Sequence, residues 1–248
     1  MNTHLTPIHL STFRPIALSE LNEVSLMKRI DTKFIVNINQ LESLLYRIQN
    51  DYRVLEIDNH RLMTYKSTYF DTEDALFYQM HHNGISNRIK IRIRNYMESN
   101  LQFLEIKQKG NQGHTNKKRV KVHEYMHTLD DHAIAFIQKT IGQQYTLRKS
   151  IENQFNRFTL VNTHLKERVT FDLNLEFNHT SFNANMVIIE IKQAKLNRAS
   201  PIFAALRSLR VYPNRISKYC LGMAKHDPLL KQNNFKPKFQ KINKITAS

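Results

Sequence analysis

The chain has 248 residues, with 37 Lys and Arg against 21 Asp and Glu for a formal charge of +16. That length serves one large domain or two small ones, and the charge selects for a polyanionic partner: nucleic acid, an anionic membrane face or polyphosphorylated small molecules. A content of 41% hydrophobic and 10% aromatic residues excludes a basic disordered chain.

The single cysteine, Cys220, excludes an intrachain disulfide framework and a cysteine-only zinc site. The opening MNTHLTPIHLSTFRP lacks the apolar core of a signal peptide, and no segment reaches the ~18 apolar residues of a membrane span. A soluble, cytoplasmic protein is expected, with peripheral attachment to an anionic membrane left open.

In chain order, a helix is predicted over Ile16 to Met27 and a strand over Lys33 to Ile38. After Asn39 as N-cap, Leu41, Leu44, Leu45 and Ile48 fall on one helical face. A strand over Thr64 to Asp71 leads into a short helix within Asp71 to His82, closed by Gly84. Asn87 to Arg94 alternates strictly, with three isoleucines opposite Arg88, Lys90, Arg92 and Arg94. Phe103 to Lys109 sets Leu104 and Ile106 against Glu105, Lys107 and Lys109, and Lys117 to Val122 sets Val120 and Val122 against Lys117, Arg119 and Lys121.

A helix follows from Asp130 or Asp131 to Ile141, with Gly142 at its C-cap. Strands are predicted over Gln154 to Asn162, Arg168 to Phe177 and Val187 to Lys192. Ser200-Pro201 opens a helix with Ile202, Leu206 and Leu209 as its buried stripe, and Ile216 to Lys225 forms a last one. Residues 1–227 thus read as one domain with about eight strands, mostly antiparallel. The lysine-rich 228–248 reads as a flexible tail.

An ordinary amphipathic strand is packed on one face and wet on the other. Here, however, neighbouring strands place cations beside cations, which repel across a ladder, so the face calls for an anion. Glu105, Asp172, Glu176 and Glu190 share these faces. Nucleic-acid grooves have no need of carboxylates beside phosphates, whereas a triphosphate site uses cations for the phosphate oxygens and a carboxylate for Mg²⁺ or Mn²⁺. Each carboxylate could equally be a salt-bridge partner of an adjacent lysine.

Glu105-Ile-Lys107-Gln returns as Glu190-Ile-Lys192-Gln, which fits two related halves contributing to one interior. P-loop, dinucleotide, nucleophile-elbow and zinc-protease motifs are absent, as are signatures of common nucleic-acid modules. His81-His82 lacks zinc spacing, and Cys220 reads as packed rather than nucleophilic.

Several motifs occur in a fixed order. Arg29-Ile-Asp31-Thr-Lys33-Phe, Thr68-Tyr-Phe-Asp-Thr72, Lys90-Ile-Arg92-Ile-Arg94-Asn-Tyr96 and Phe103-Leu-Glu105-Ile-Lys107 come first. Asn156-Arg157-Phe, Glu167-Arg168-Val-Thr-Phe-Asp172, Ile189-Glu190-Ile-Lys192 and Ser217-Lys218-Tyr219 follow. Together, over Ile16 to Ala224, they resemble the VTC-type polyphosphate polymerase domain of the triphosphate tunnel superfamily.

The resemblance implies an α+β fold with a closed, eight-stranded antiparallel β tunnel and helices outside. It implies transfer of the γ-phosphoryl of ATP onto a growing inorganic polyphosphate chain with release of ADP, dependent on Mn²⁺ or Mg²⁺. It assigns Lys33, Arg92, Arg94, Lys107, Arg157, Arg168 and Lys218 to the phosphates and Glu190 to the metal. Arg88, Lys90, Lys109, Lys118 and Arg119 complete the expected phosphate-binding set.

Tunnel triphosphatases and related cyclases open with E-x-E-x-K, where this chain has Arg29 and Asp31 before Lys33. That change argues against two-metal hydrolysis and for retention of a long polyanion. The partners expected are ATP and polyphosphate, without a specific nucleic acid. A tunnel-fold tripolyphosphatase or nucleoside triphosphatase, and a non-catalytic polyphosphate- or RNA-binding module, are the alternatives.

Overall fold

A computed structural model describes residues 10–24, 29–110, 115–122 and 128–247. Among these residues, eight strands form a continuous antiparallel path in the order β2-β11-β9-β8-β4-β5-β6-β7. They are β2 (Ile30–Asn37), β4 (Met63–Asp71), β5 (Arg88–Tyr96), β6 (Leu101–Lys109), β7 (Thr115–Val122), β8 (Arg148–Asn162), β9 (Glu167–Phe177) and β11 (Met186–Gln193). The sheet reaches eleven strands with β1 (Arg14–Ala17), β3 (Arg53–Glu56) and β10 (Thr180–Ser181). β1 runs parallel to β3, β3 joins the end of β8, and β10 borders β9.

The period-2 pattern sorts the side chains into an outer and an inner face. Outside, Ile89, Ile91, Ile93, Leu104 and Ile106 pack under α2 (Leu76–His82) and α3 (Asp131–Ile141). On the other half, Phe34, Val36, Val169, Phe171, Val187 and Ile189 pack under α1 (Leu41–Ile48) and α4 (Pro201–Ser208). Ile35 and Ile188 lie two residues from Lys33 and Glu190, on the inner face, and meet Tyr219, Leu221 and Met223 of α5 (Lys218–His226). That helix seats closely because it carries Gly222, where a Cβ would stand 2.5 Å from Phe177 Cδ1. The inner face is therefore apolar where α5 fills it and charged elsewhere.

Local chemistry sets the helix ends. Asp130 accepts from the Ala133 N–H, and Gly142 closes α3 at φ 79°. Asn37, not Asn39, makes the capping box ahead of α1, through the turn Ile38–Gln40. Leu41, Leu44, Leu45 and Ile48 form the buried stripe of α1 as expected.

Three expectations need correction. The predicted helix from Ile16 is strand β1 followed by a 3₁₀ turn at Ser19–Val24, and its end at Met27 lies outside the described residues. Pro15 suits an edge strand, and Ile16 is buried against Leu21, Leu55 and Val161.

The sheet is not closed by hydrogen bonds, because no ladder joins β2 to β7 among the described residues. The free edge of β2 is taken by the chain after α4, through the Phe34–Pro213 bridge and Asn214 N–H donating to Lys33 O at 2.7 Å. β7 is an exposed edge strand carrying Lys117, Lys118, Arg119 and Lys121, and lysines of this kind discourage further pairing.

The flexible tail is instead helix α6 (Lys236–Thr246), with Phe235 and Ile242 buried in the inner apolar cluster. Phe235, Phe239, Ile242 and Ile245 recur at helical spacing among the lysines, a stripe that the charge of the segment conceals.

Candidate functional site

Three inner-face carboxylates are each bracketed by two cations; Glu105 and Asp172 are almost fully buried and Glu190 is partly buried. Glu105 on β6 accepts from Arg92 Nε at 2.8 Å and Nη2 at 2.6 Å, and from Lys117 Nζ. Asp172 on β9 accepts from both arms of Arg157, with Nη2 at 2.8 Å, and from Lys218 Nζ. Glu190 on β11 pairs with Lys33 and, at 2.9 Å, with Lys192.

The ladder puts these groups together. Arg92 stands opposite Glu105, Arg157 opposite Asp172 and Lys33 opposite Glu190. Lys218 comes from the first turn of α5, which packs against β8.

Aromatic rings form the walls between the ion pairs. Lys218 Nζ sits 4.0 Å from the centroid of Phe155, and the Arg157 guanidinium lies 5.0 Å from Tyr65. Arg94 lies 5.5 Å from Tyr65 and donates to Ser67 Oγ at 3.3 Å. Arg92 also donates to the Tyr69 hydroxyl at 3.1 Å. Tyr69 stacks on Tyr219, whose hydroxyl donates to Asp71.

Cations outnumber carboxylates on this face. Arg94, Lys90, Lys107 and Arg168 have no ion pair among the described residues, and the Nε of Arg168 is buried without a partner. Burial pushes Lys90 and Lys218 down to about 8 and lowers Arg94 and Arg168. The same burial pushes the three carboxyls up. The bracketing cations outweigh it and hold Glu105, Asp172 and Glu190 well below the usual carboxylate range. Buried charge without a counter-ion is costly, so this face favours an anionic ligand that supplies it.

Side chains from near the two ends of the strand path face one another here. Lys107 on β6 is within electrostatic reach of Lys33 on β2 and Glu190 on β11. A cavity of about 620 Å³ opens between them, lined by Lys33, Arg88, Lys90, Lys107 and Lys109 from the strands. Asp31 is its single lining carboxylate among the described residues, and Arg29 donates to Asp31 at 2.9 Å.

Of the residues expected from sequence, Lys33, Arg92, Arg157, Lys218 and Glu190 lie in the ion-pair clusters. Arg94, Lys90 and Arg168 share the inner face, while Arg88, Lys107 and Lys109 line the cavity. Arg119 is on the exposed edge strand, 4.7 Å from the Phe103 ring. Lys118 is a correction. It pairs with Ile106, so alternation turns it to the outer face, and Lys117 is the lysine that reaches Glu105.

Glu176 pairs with Gln154 and Ser181, beyond the positive-φ residue Asn174, and joins none of the clusters. Sequence reasoning put Asp172, Lys117 and Lys192 on charged faces without assigning them to the site. It missed the aromatic walls entirely, because Tyr65, Tyr69 and Phe155 read as ordinary core.

Among the described residues, no group of three or more His, Cys, Asp or Glu side chains forms a self-sufficient metal site. Magnesium-like ions at phosphate sites need only one or two carboxylates, the rest coming from phosphate oxygens and water. Glu190 and Asp31 fit that donor set, as both are within electrostatic reach of Lys192. Cys220 is buried and its thiol is pushed up by burial, consistent with packing.

The sequence profile of the VTC domain matches residues 28–226. Among curated proteins, none matches the chain. Solved structures with a similar arrangement include a Pyrococcus horikoshii protein, at 15% identity and TM-score 0.47, covering 81% of this chain and 99% of that one. A candidate adenylate cyclase of Vibrio parahaemolyticus has 8% identity and TM-score 0.48, over 78% of this chain and 96% of that one. A candidate adenylyl cyclase of Hippeastrum, described as having a dominant triphosphatase activity, has 12% identity and TM-score 0.46, over 83% and 99%.

Proposed function

Because the chain belongs to the VTC domain family, we propose that it is a metal-dependent polyphosphate polymerase working in the cytoplasm. It transfers the γ-phosphoryl of ATP to the end of an inorganic polyphosphate chain. The observation that carries this reading is the surplus of inner-face cations, with each carboxylate already held between two of them. Such a face accepts two polyanions end to end, which is the difficulty of joining ATP to polyphosphate. Among the described residues, no helix is long and apolar enough to cross a membrane.

In the transfer, a terminal oxygen of the acceptor attacks the γ-phosphorus. The bond to the β–γ bridging oxygen breaks, and ADP leaves with the electron pair. The attacking oxygen is already an anion, so no general base is needed, and catalysis rests on positioning and charge stabilisation. Arg92 and Arg94 are two residues apart on β5, roughly 6.6–6.8 Å along the strand, a spacing that suits two separate, non-adjacent phosphates of one chain rather than two oxygens of one phosphate. Arg157 and Arg168 from the facing strands, and Lys218 from α5, hold phosphate oxygens. When phosphate binds, Lys33 and Lys192 would turn to it from Glu190, and Glu190 and Asp31 would hold Mn²⁺ or Mg²⁺. A metal bound there would neutralise charge on the phosphate oxygens.

Incubation with ATP and Mn²⁺, resolving ADP, free phosphate and polymer, tests the reading. Polymer with stoichiometric ADP is expected. Free phosphate without polymer would mean a hydrolase, and tight polyphosphate binding without turnover would mean a binding module.

A further inference from the structure

The segment after α5 lies beyond the part of the chain that matches the family profile, and it is tied down at both ends. At its start, Tyr78 OH donates to Lys231 O at 2.8 Å, and Asn234 Nδ2 donates to His82 O at 2.7 Å. Phe235 packs against the rings of Tyr78 and His82 at 5.6 and 5.7 Å. These contacts fix the segment to α2, over β4 and β5.

At its far end, Asn183 Nδ2 donates to Thr246 Oγ1 at 2.8 Å, Asn185 Nδ2 to Thr246 O at 3.2 Å and Asn37 Nδ2 to Ile245 O at 3.3 Å. These contacts fix it to β2 and the approach to β11. β2 and β5 are far apart in the strand path, so the segment runs between its two sides, with Phe235 and Lys238 at the cavity.

Between the anchors, Lys238 lines the cavity and holds its ammonium 4.6 Å from the Phe235 ring. Seven of the lining side chains are Lys or Arg, against the single carboxylate Asp31. Two groups here are buried without a partner, Arg88 Nε and His81 Nε2. His81 is pushed down to about 2 by burial and by Lys90, Arg88 and Lys238, so its ring is neutral. Phe235 is buried among Tyr78, His82 and Lys238, which leaves no open ring face for a nucleotide base.

We propose that residues 228–247 form a clasp across this mouth and make it an additional phosphate subsite, where Lys238, Arg88 and His81 hold the part of a linear oligophosphate chain that extends beyond the inner cation clusters. The proposal rests on reading those clusters as a phosphate site. It adds a subsite that only chains longer than a triphosphate engage together with them.

The test measures binding of long-chain polyphosphate, tripolyphosphate and ATP to the full chain, without metal, across a salt series. Variants are Lys238→Gln, Arg94→Gln for the inner face and, as control, the exposed Lys236→Gln. Lys238→Gln should weaken long-chain binding about threefold to tenfold and reduce the log–log salt slope by about 0.7, the value for one contact on a single-stranded polyanion. Tripolyphosphate and ATP should bind it as they bind wild type, and Lys236→Gln should bind all three normally.

Wild-type long-chain binding by Lys238→Gln, beside a loss in Arg94→Gln, overturns the clasp and leaves the inner site standing. Wild-type binding by Arg94→Gln overturns the inner site itself. An equal loss in Lys236→Gln, or equal losses of long and short chains in Lys238→Gln, also overturns the subsite.

Discussion

Two kinds of buried carboxylate occur in this molecule, and their surroundings give them opposite properties. Glu167 is wholly buried and accepts from the Tyr52 hydroxyl, Gln193 Nε2 and, at 2.9 Å, the Ser200 hydroxyl. Asp71 accepts from the backbone N–H groups of Thr72, Phe77 and Tyr78 at 2.8–3.0 Å, and from the Tyr219 hydroxyl. Burial raises both, and neutral donors offset it only in part. Glu105 and Asp172 are buried to a similar degree and Glu190 somewhat less, yet the cations around all three drive them down.

The neutral-ringed pair joins elements: Glu167 ties the start of α4 to β9, and Asp71 ties α2 and α5 to the end of β4. The cation-ringed group holds charge in readiness for an anion. Environment, not depth, separates scaffold from site.

The sharpest break between the two classes should come from the same substitution made in each. Glu190→Gln removes the charge a divalent ion needs, and turnover should fall on the order of 10²-fold or more. Polyphosphate binding should stay unchanged or tighten slightly, since a negative charge leaves the site. Glu167→Gln should keep wild-type turnover and lose only stability. Normal Mn²⁺-supported synthesis by Glu190→Gln would make Glu190 an ordinary salt-bridge partner and remove the distinction.

Arg94→Lys probes the unpaired cations. Lysine keeps the charge but not the guanidinium fork, so synthesis should slow about tenfold, the worth of one charge-assisted contact. Ile93→Val, turned to the outer face under α3, should cost ~0.5–1.5 kcal/mol of stability and leave synthesis intact. A folded Arg94→Lys protein with wild-type rates would take Arg94 out of the site.

Much of this was legible in the sequence. Strict alternation over Arg88 to Arg94 fixes which side chains share the inner face, and the Glu-Ile-Lys-Gln echo marks β6 and β11, each carrying a carboxylate held by two cations. Lys218 was reached only through the family resemblance, because a helical lysine carries no strand parity.

Lys118 was misplaced although alternation already sets it with Val120 and Val122, and its pairing with Ile106 agrees with that parity. The aromatic walls stayed hidden because a ring beneath a guanidinium has the same pattern as a ring in a core. The clasp was hidden by lysines that outnumber its apolar stripe.

Acidity gives a third comparison, of moderate size. Lys90 and Lys218 are pushed down to about 8 by burial, against an ordinary ~10.4. Between those values the unfolded chain binds protons that the folded chain has shed, so stability should rise with pH through this window. Polyphosphate affinity should fall over the same window, because the binding lysines are losing charge. Melting temperature and polyphosphate affinity, followed from about pH 7 to about 9.5, should therefore move in opposite directions. A fall in both would assign the titration to other groups.

The smallest effect is expected on the scaffold side. Ser200 occupies the N-cap position of α4 but makes no cap there; its hydroxyl is directed to Glu167 instead. Ser200→Ala removes one of three neutral donors, and Gln193 and Tyr52 remain. The cost should be about 1 kcal/mol of unfolding free energy, read from denaturant midpoints at unchanged slope. Polyphosphate binding and synthesis should match wild type. Glu167 adjoins Arg168 on β9, but alternation turns their side chains to opposite faces, so a loss on one face leaves the other in place. If Ser200→Ala instead slowed synthesis more than it lowered stability, the strand would be transmitting the change from Glu167 to Arg168, and the two classes of carboxylate would be one coupled network.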